Sequence, residues 1–113
     1  MYKKQFYYWA LAESYFNLRH YEKAVPCYQD MLKLCYEKER AEAYYRLGFC
    51  FLFGEDWADA WSNFYAAQNC FRKYRPGEEP ARMAQIGNML KALNGKVAGE
   101  VLVHIGINKA KGK

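Results

Sequence analysis

The sequence predicts an all-α protein, a short solenoid of antiparallel helix pairs with an open-ended C-terminal tail. Three observations carry that expectation. Apolar residues recur at helical spacing through most of the 113-residue chain. Short polar or Gly/Pro-containing breaks, above all GED at 54–56 and RPGEEP at 75–80, separate those stretches. One block of large and small residues also recurs 36 positions later.

The elements follow in order. Residues 5–18, QFYYWALAESYFNL, contain neither Gly nor Pro and form the first helix. "RHYEK" makes a short break, and residues 21–36 form the second helix. Pro26 either kinks that helix or sits in its first turns, where a missing N–H matters less. The polar "EKER" is a link that could continue into the next helix, residues 41–53, AEAYYRLGFCFLF. Gly54 suits a helix C-terminus and Asp56 the next N-cap. Residues 57–71 form a fourth helix, and "RPGEEP" is the strongest breaker in the chain. A fifth helix spans about 80–93, opening on Pro80 and ended by Asn94-Gly95. Residues 96–113 form a basic tail in which a short helix, an extended segment and disorder beyond Asn108 are all open.

Aligning Tyr21 with Trp57 gives the repeat. Tyr8 then meets Tyr44, Leu11 meets Leu47, Ala12 meets Gly48, and Tyr15 meets Phe51. Ala24 meets Ala60, Tyr28 meets Phe64, and Met31 meets Ala67. Two antiparallel helices approach closely only where side chains are small. The expectation is therefore that Ala12 and Gly48 face Ala24 and Ala60, with aromatic residues filling the space around those contacts.

This pattern resembles the tetratricopeptide repeat: a large aromatic, Leu-Gly three and four residues on, a further aromatic, a bend, then aromatic, Ala, aromatic and Ala. The second unit, "YYRLGFCFLFGEDWADAWSNFYAA", fits almost throughout. The first has Ala12 for Gly and Met31 for Ala, and lacks the closing Pro, with Tyr36 in its place. The resemblance implies one domain over 1–95, with repeat 1 at about 5–38, repeat 2 at about 41–74 and a capping third-repeat helix at about 80–94. In that helix Met83, Ile86, Gly87 and Leu90 take the consensus places. Two and a half units lie near the lower limit for independent stability. Self-association as a homodimer, a protein partner, or a preceding portion of a longer chain is expected.

The same resemblance assigns a concave face to the first helix of each unit. Its candidate residues are Trp9, Glu13, Phe16 and Asn17, then Tyr45, Arg46, Phe49, Leu52 and Phe53, then Ala84, Gln85, Asn88 and Lys91. An exposed aromatic groove favours an occupant. The peptide-binding set is Trp9, Glu13, Phe16, Tyr45, Arg46, Phe49, Leu52 and Asn88, with Trp9, Phe16, Tyr45, Phe49 and Leu52 as pockets and Arg46 and Asn88 as donors to a peptide backbone. "FYAAQNCFRKYRPGEEPARMAQIGNMLKAL" is also similar to the end of the class II chaperones of type III secretion, which implies a translocator segment as cargo. That family usually carries three full repeats and an N-terminal dimerising helix; here the first is missing or lies outside this sequence. A structural scaffold subunit, its groove closed by a permanent neighbour, is the alternative.

Composition bounds the remaining readings. Residues 1–71 hold eight Lys and Arg against nine Asp and Glu, and residues 72–113 hold nine against three. The net charge of +5 thus belongs to the C-terminal third. Nucleic-acid binding ranks below peptide binding, because only "FRKYR" interleaves bases with aromatics. Cys27, Cys35, Cys50 and Cys70 form no CxxC and the chain has two His, so no metal, cofactor or catalytic set is expected. His20, His104 and Glu78-Glu79 have no catalytic partner at motif spacing. No apolar run reaches membrane-spanning length and no secretory signal is visible, which points to a cytoplasmic protein with reduced thiols.

Overall fold

A computed structural model describes residues 2–74, 77 and 80–111. Five helices follow one another: α1 (Tyr2–Asn17), α2 (Tyr21–Leu34), α3 (Glu37–Phe53), α4 (Trp57–Tyr74) and α5 (Pro80–Lys111). No strand occurs among the described residues. Each helix packs on the one before it, which makes the elongated 58 × 31 × 22 Å body of a short helical-repeat solenoid.

The "EKER" link is helical, so α3 begins at Glu37. Pro26 lies in the second turn of α2, on its exposed side. The N–H it lacks would have met the Glu22 carbonyl, and water can take that place. Both short turns close alike. After α1, the Arg19 N–H donates to Phe16 and the His20 N–H to Tyr15; after α3, the Glu55 N–H donates to Leu52 and the Asp56 N–H to Phe51. This is a Schellman closure, which needs one residue in the left-handed region. Arg19 (φ 63°) and Glu55 (φ 60°) occupy it. Gly54 does not: its φ is −87°, one residue too early. The Asp56 carbonyl accepts from the Ala60 N–H, which places Asp56 at the start of α4 as expected. Of the "RPGEEP" breaker, Gly77 has a left-handed φ of 84°, while Pro76 and Glu78-Glu79 lie outside the described residues.

Small residues do make the close contacts, with one correction. Ala12, Ala24, Ala60 and Ala67 are fully buried. At Gly48 the ring of Phe64 comes nearest: a Cβ there would come within 2.6 Å of that ring. The glycine makes room for an aromatic one turn beyond Ala60. Ala12 shares a core cluster with Tyr28, the counterpart of Phe64.

The other correction concerns the end of α5. Asn94-Gly95 does not stop the helix, which runs on to Lys111. Nothing lies within 4 Å of a Cβ at Gly95. No packed neighbour there forces the chain to turn, and a mid-helix Gly costs only about 1 kcal/mol relative to Ala. The third-unit residues behave as expected up to that point. Ile86 and Leu90 are buried and Met83 packs against the same cluster. Gly87 differs from Gly48 in having nothing within 4 Å of its Cβ position. Among the described residues no second helix covers α5 as α4 covers α3.

Candidate functional site

Helices α1, α3 and α5 are the first members of the successive units, and side chains tie them together. Arg46 Nε donates to Glu13 Oε1 at 3.1 Å, joining α3 to α1. The Tyr45 hydroxyl donates to Gln85 Oε1 at 2.7 Å, joining α3 to α5. Arg82 on α5 also pairs with Glu42 on α3. Glu13 accepts a second bond from the hydroxyl of buried Tyr28 on α2, which fixes the carboxylate that holds Arg46.

The repeat alignment exposes a difference at this point. Glu13 and Tyr28 correspond to Phe49 and Phe64 in the second unit. There the pair meets ring to ring, edge-on, with centroids 5.1 Å apart. The first unit thus uses a hydroxyl–carboxylate contact where the second uses an aromatic one. Burial and the neighbouring Glu13 carboxylate push the Tyr28 phenol above its ordinary value. Burial, followed by Glu13, pushes the Cys50 thiol up to about 12. Burial also raises Cys27 and Cys35, and all four cysteines are free thiols.

Three recesses open along these helices. The first is a cleft of about 410 Å³ lined by Phe16, Asn17, Arg19, Tyr21, Tyr45, Arg46, Phe49 and Phe53. It brings together four of the expected peptide-binding residues, Phe16, Tyr45, Arg46 and Phe49. The Arg46 guanidinium lies 5.5 Å from the Phe16 ring centre and 5.9 Å from that of Tyr45. Its bond to Glu13 uses Nε, so the terminal Nη groups remain available as donors.

The second, about 160 Å³, is lined by Gln5, Phe6, Trp9, Met31, Glu39 and Glu42. Trp9 belongs here, edge-on to Tyr28 at 5.6 Å. Trp9, Glu13 and Phe16 follow one another at spacings of four and three residues, so they share one stripe of α1. The two recesses therefore lie along one furrow between α1 and α3, divided by the Glu13–Arg46 pair. The Glu39 Oε2 atom is buried there without a hydrogen-bond partner.

The third, about 260 Å³, is lined by Leu52, Trp57, Met89, Ala92, Leu93 and Lys96. Leu52 thus lies on the α5 side of α3. Asn88 is exposed on α5 and lines none of these three recesses. Glu13 is a positioning group and not a lining one. Tyr45 is buried, with its hydroxyl committed to Gln85.

Sequence reasoning missed Arg19, Tyr21, Glu39 and the α5 residues Met89 and Lys96. Tyr21 is a repeat-consensus residue, and it lines the cleft as well as packing 4.9 Å from Phe53. Arg19 gave no sequence signal, since its place at the cleft depends on the turn geometry. Among the described residues no cluster of His, Cys, Asp or Glu is arranged to hold a metal. No described helix is long and apolar enough to cross a membrane. No protein-family model matches the chain, and neither does any curated protein or solved structure.

Proposed function

We propose that the chain is a tetratricopeptide-type module that binds an extended segment of a partner protein across the face of α1, α3 and α5. The carrying observation is the 410 Å³ cleft, whose lining combines Phe16, Phe49 and Phe53 with Arg19 and Arg46. Its walls mix apolar rings with convergent donors, the composition of a ligand site and not of a core. Holding a translocator before secretion is one task such a module would serve, as the likeness to class II secretion chaperones implies. Enzymatic activity is not part of the proposal.

A peptide array probed with the purified chain and with Phe53→Asp tests it. Phe53 is half exposed, so the charge enters the cleft without entering the core. Phe49 is a poorer choice, because it packs against Phe64 and Tyr45. The wild-type chain should capture extended peptides and the variant should lose them with unchanged circular dichroism. Equal capture by both would rule the cleft out.

A second reading, a scaffold subunit or self-associating oligomer, is favoured by Phe6, Tyr7, Leu18 and Tyr36, all more than half exposed. Sedimentation of the isolated chain separates the two. A monomer that binds peptide supports the first reading, and a stable oligomer with a closed furrow supports the second.

A further inference from the structure

Two of the recesses are copies of each other. Phe16 and Tyr21 of the cationic cleft correspond by the 36-residue offset to Leu52 and Trp57 of the apolar one. Each recess is built from the end of a first helix, the opening aromatic of its partner helix, and the next first helix. Helix α3 is common to both, with one recess on each flank.

Their chemistry has diverged. The cleft on the α1 flank presents Arg19 and Arg46, and no carboxylate lines it. The recess on the α5 flank is walled by Leu52, Met89 and Leu93, with Lys96 at 5.3 Å from the Trp57 ring centre. The Trp9 recess is lined by Glu39 and Glu42 and by no cation. A carboxylate therefore has one home on this face, and a large apolar side chain has another across α3.

We infer that the face selects an extended segment carrying an Asp or Glu side chain three residues from a large apolar one. The acid lies against Arg19 and Arg46, and the apolar residue fills the Leu52–Met89 recess. The spacing follows from the helix between them: an α-helix with side chains is about 10–12 Å across, and a segment extended as polyproline II rises about 3.1 Å per residue and returns to the same face every third residue. The 410 Å³ cleft has room for a carboxylate side chain together with the backbone that bears it. Arg19 is exposed at its mouth, held there by the left-handed closure of α1. The inference rests on the furrow being a peptide site and adds what the peptide must contain.

The test uses labelled, acetylated and amidated Gly-Ser-Asp-Gly-Ser-Leu-Gly-Ser and fluorescence anisotropy. Control peptides replace Asp by Asn, place Asp next to Leu, or replace Asp by Leu. A fourth is the Asn peptide with a free C-terminal carboxylate. The Asp peptide should bind about tenfold more tightly than the Asn and adjacent-Asp peptides at low salt. Arg19→Gly, which relieves the backbone and so keeps the fold, should bring the Asp peptide's affinity down to that of the Asn peptide. If the Leu–Leu peptide binds and the Asp peptides show no preference, the inference fails and the furrow reading stands. If the free-carboxylate Asn peptide matches the Asp peptide, the acid is a chain terminus and the inference fails as stated. If no peptide binds at all, both fail together.

Discussion

Gly48 is the residue on which the second helix pair closes. Its hydrogen gives way to the Phe64 ring, which is itself packed edge-on by Tyr45 and Phe49. Gly48→Ala would gain about 1 kcal/mol of helix propensity yet overpack a ring that cannot move aside. Overpacking typically costs about 1–3 kcal/mol. A net loss of stability is expected in urea titration, and a gain would show that the ring yields. Arg19 and Glu55 present the opposite case. Both hold left-handed backbone that glycine adopts freely, so Arg19→Gly and Glu55→Gly should each stabilise the fold by about 0.5–1 kcal/mol. Glycine's conformational freedom is not needed at Gly54, whose φ of −87° is open to any residue. A third residue-scale effect is pH dependence. The Cys50 thiol rises from an ordinary 9.0 to about 12 on folding, so the folded state keeps its proton where the unfolded chain has lost it. Its contribution is complete below pH 9 and is lost as pH climbs towards 12. Urea midpoints should fall over that window, and Cys50→Ser should fall less steeply.

At the scale of elements, what was legible depended on whether a signal was local. The four short helices announce themselves because their apolar period and breakers lie within one stretch, and Ala24, Tyr28, Ala60 and Phe64 are buried as the repeat requires. Asn94-Gly95 misled because a turn signal becomes a turn only when packing draws the chain back, and α5 meets no later helix. Gly95→Ala should therefore deepen the 222 nm ellipticity and raise the melting temperature. A chain that reverses at Asn94-Gly95 would respond with neither. The cleft was half legible. Phe16, Arg46 and Phe49 fall at helical spacing on their own elements, whereas Arg19 reaches it through a turn; Met89 lines the recess across α3. Leu52 and Asn88 were grouped with the rest, but Leu52 lies across α3 and Asn88 lines none of the three recesses.

The whole molecule is three first helices laid side by side, held by Glu13–Arg46, Glu42–Arg82 and Tyr45–Gln85, with two partner helices behind them. The face they form is lined with aromatic residues and carries cations at one end and carboxylates at another. That polarity is absent from either helix pair alone and arises when the units stack. The most direct measurement is an amide chemical-shift titration of the isotope-labelled chain with the Asp–Leu peptide. Shifts concentrated at Phe16, Arg19, Arg46, Phe49, Phe53 and Met89 are the expected result. Shifts concentrated instead on the Trp61–Tyr65 stack of α4, where Tyr65 is exposed, with the furrow silent, would contradict it.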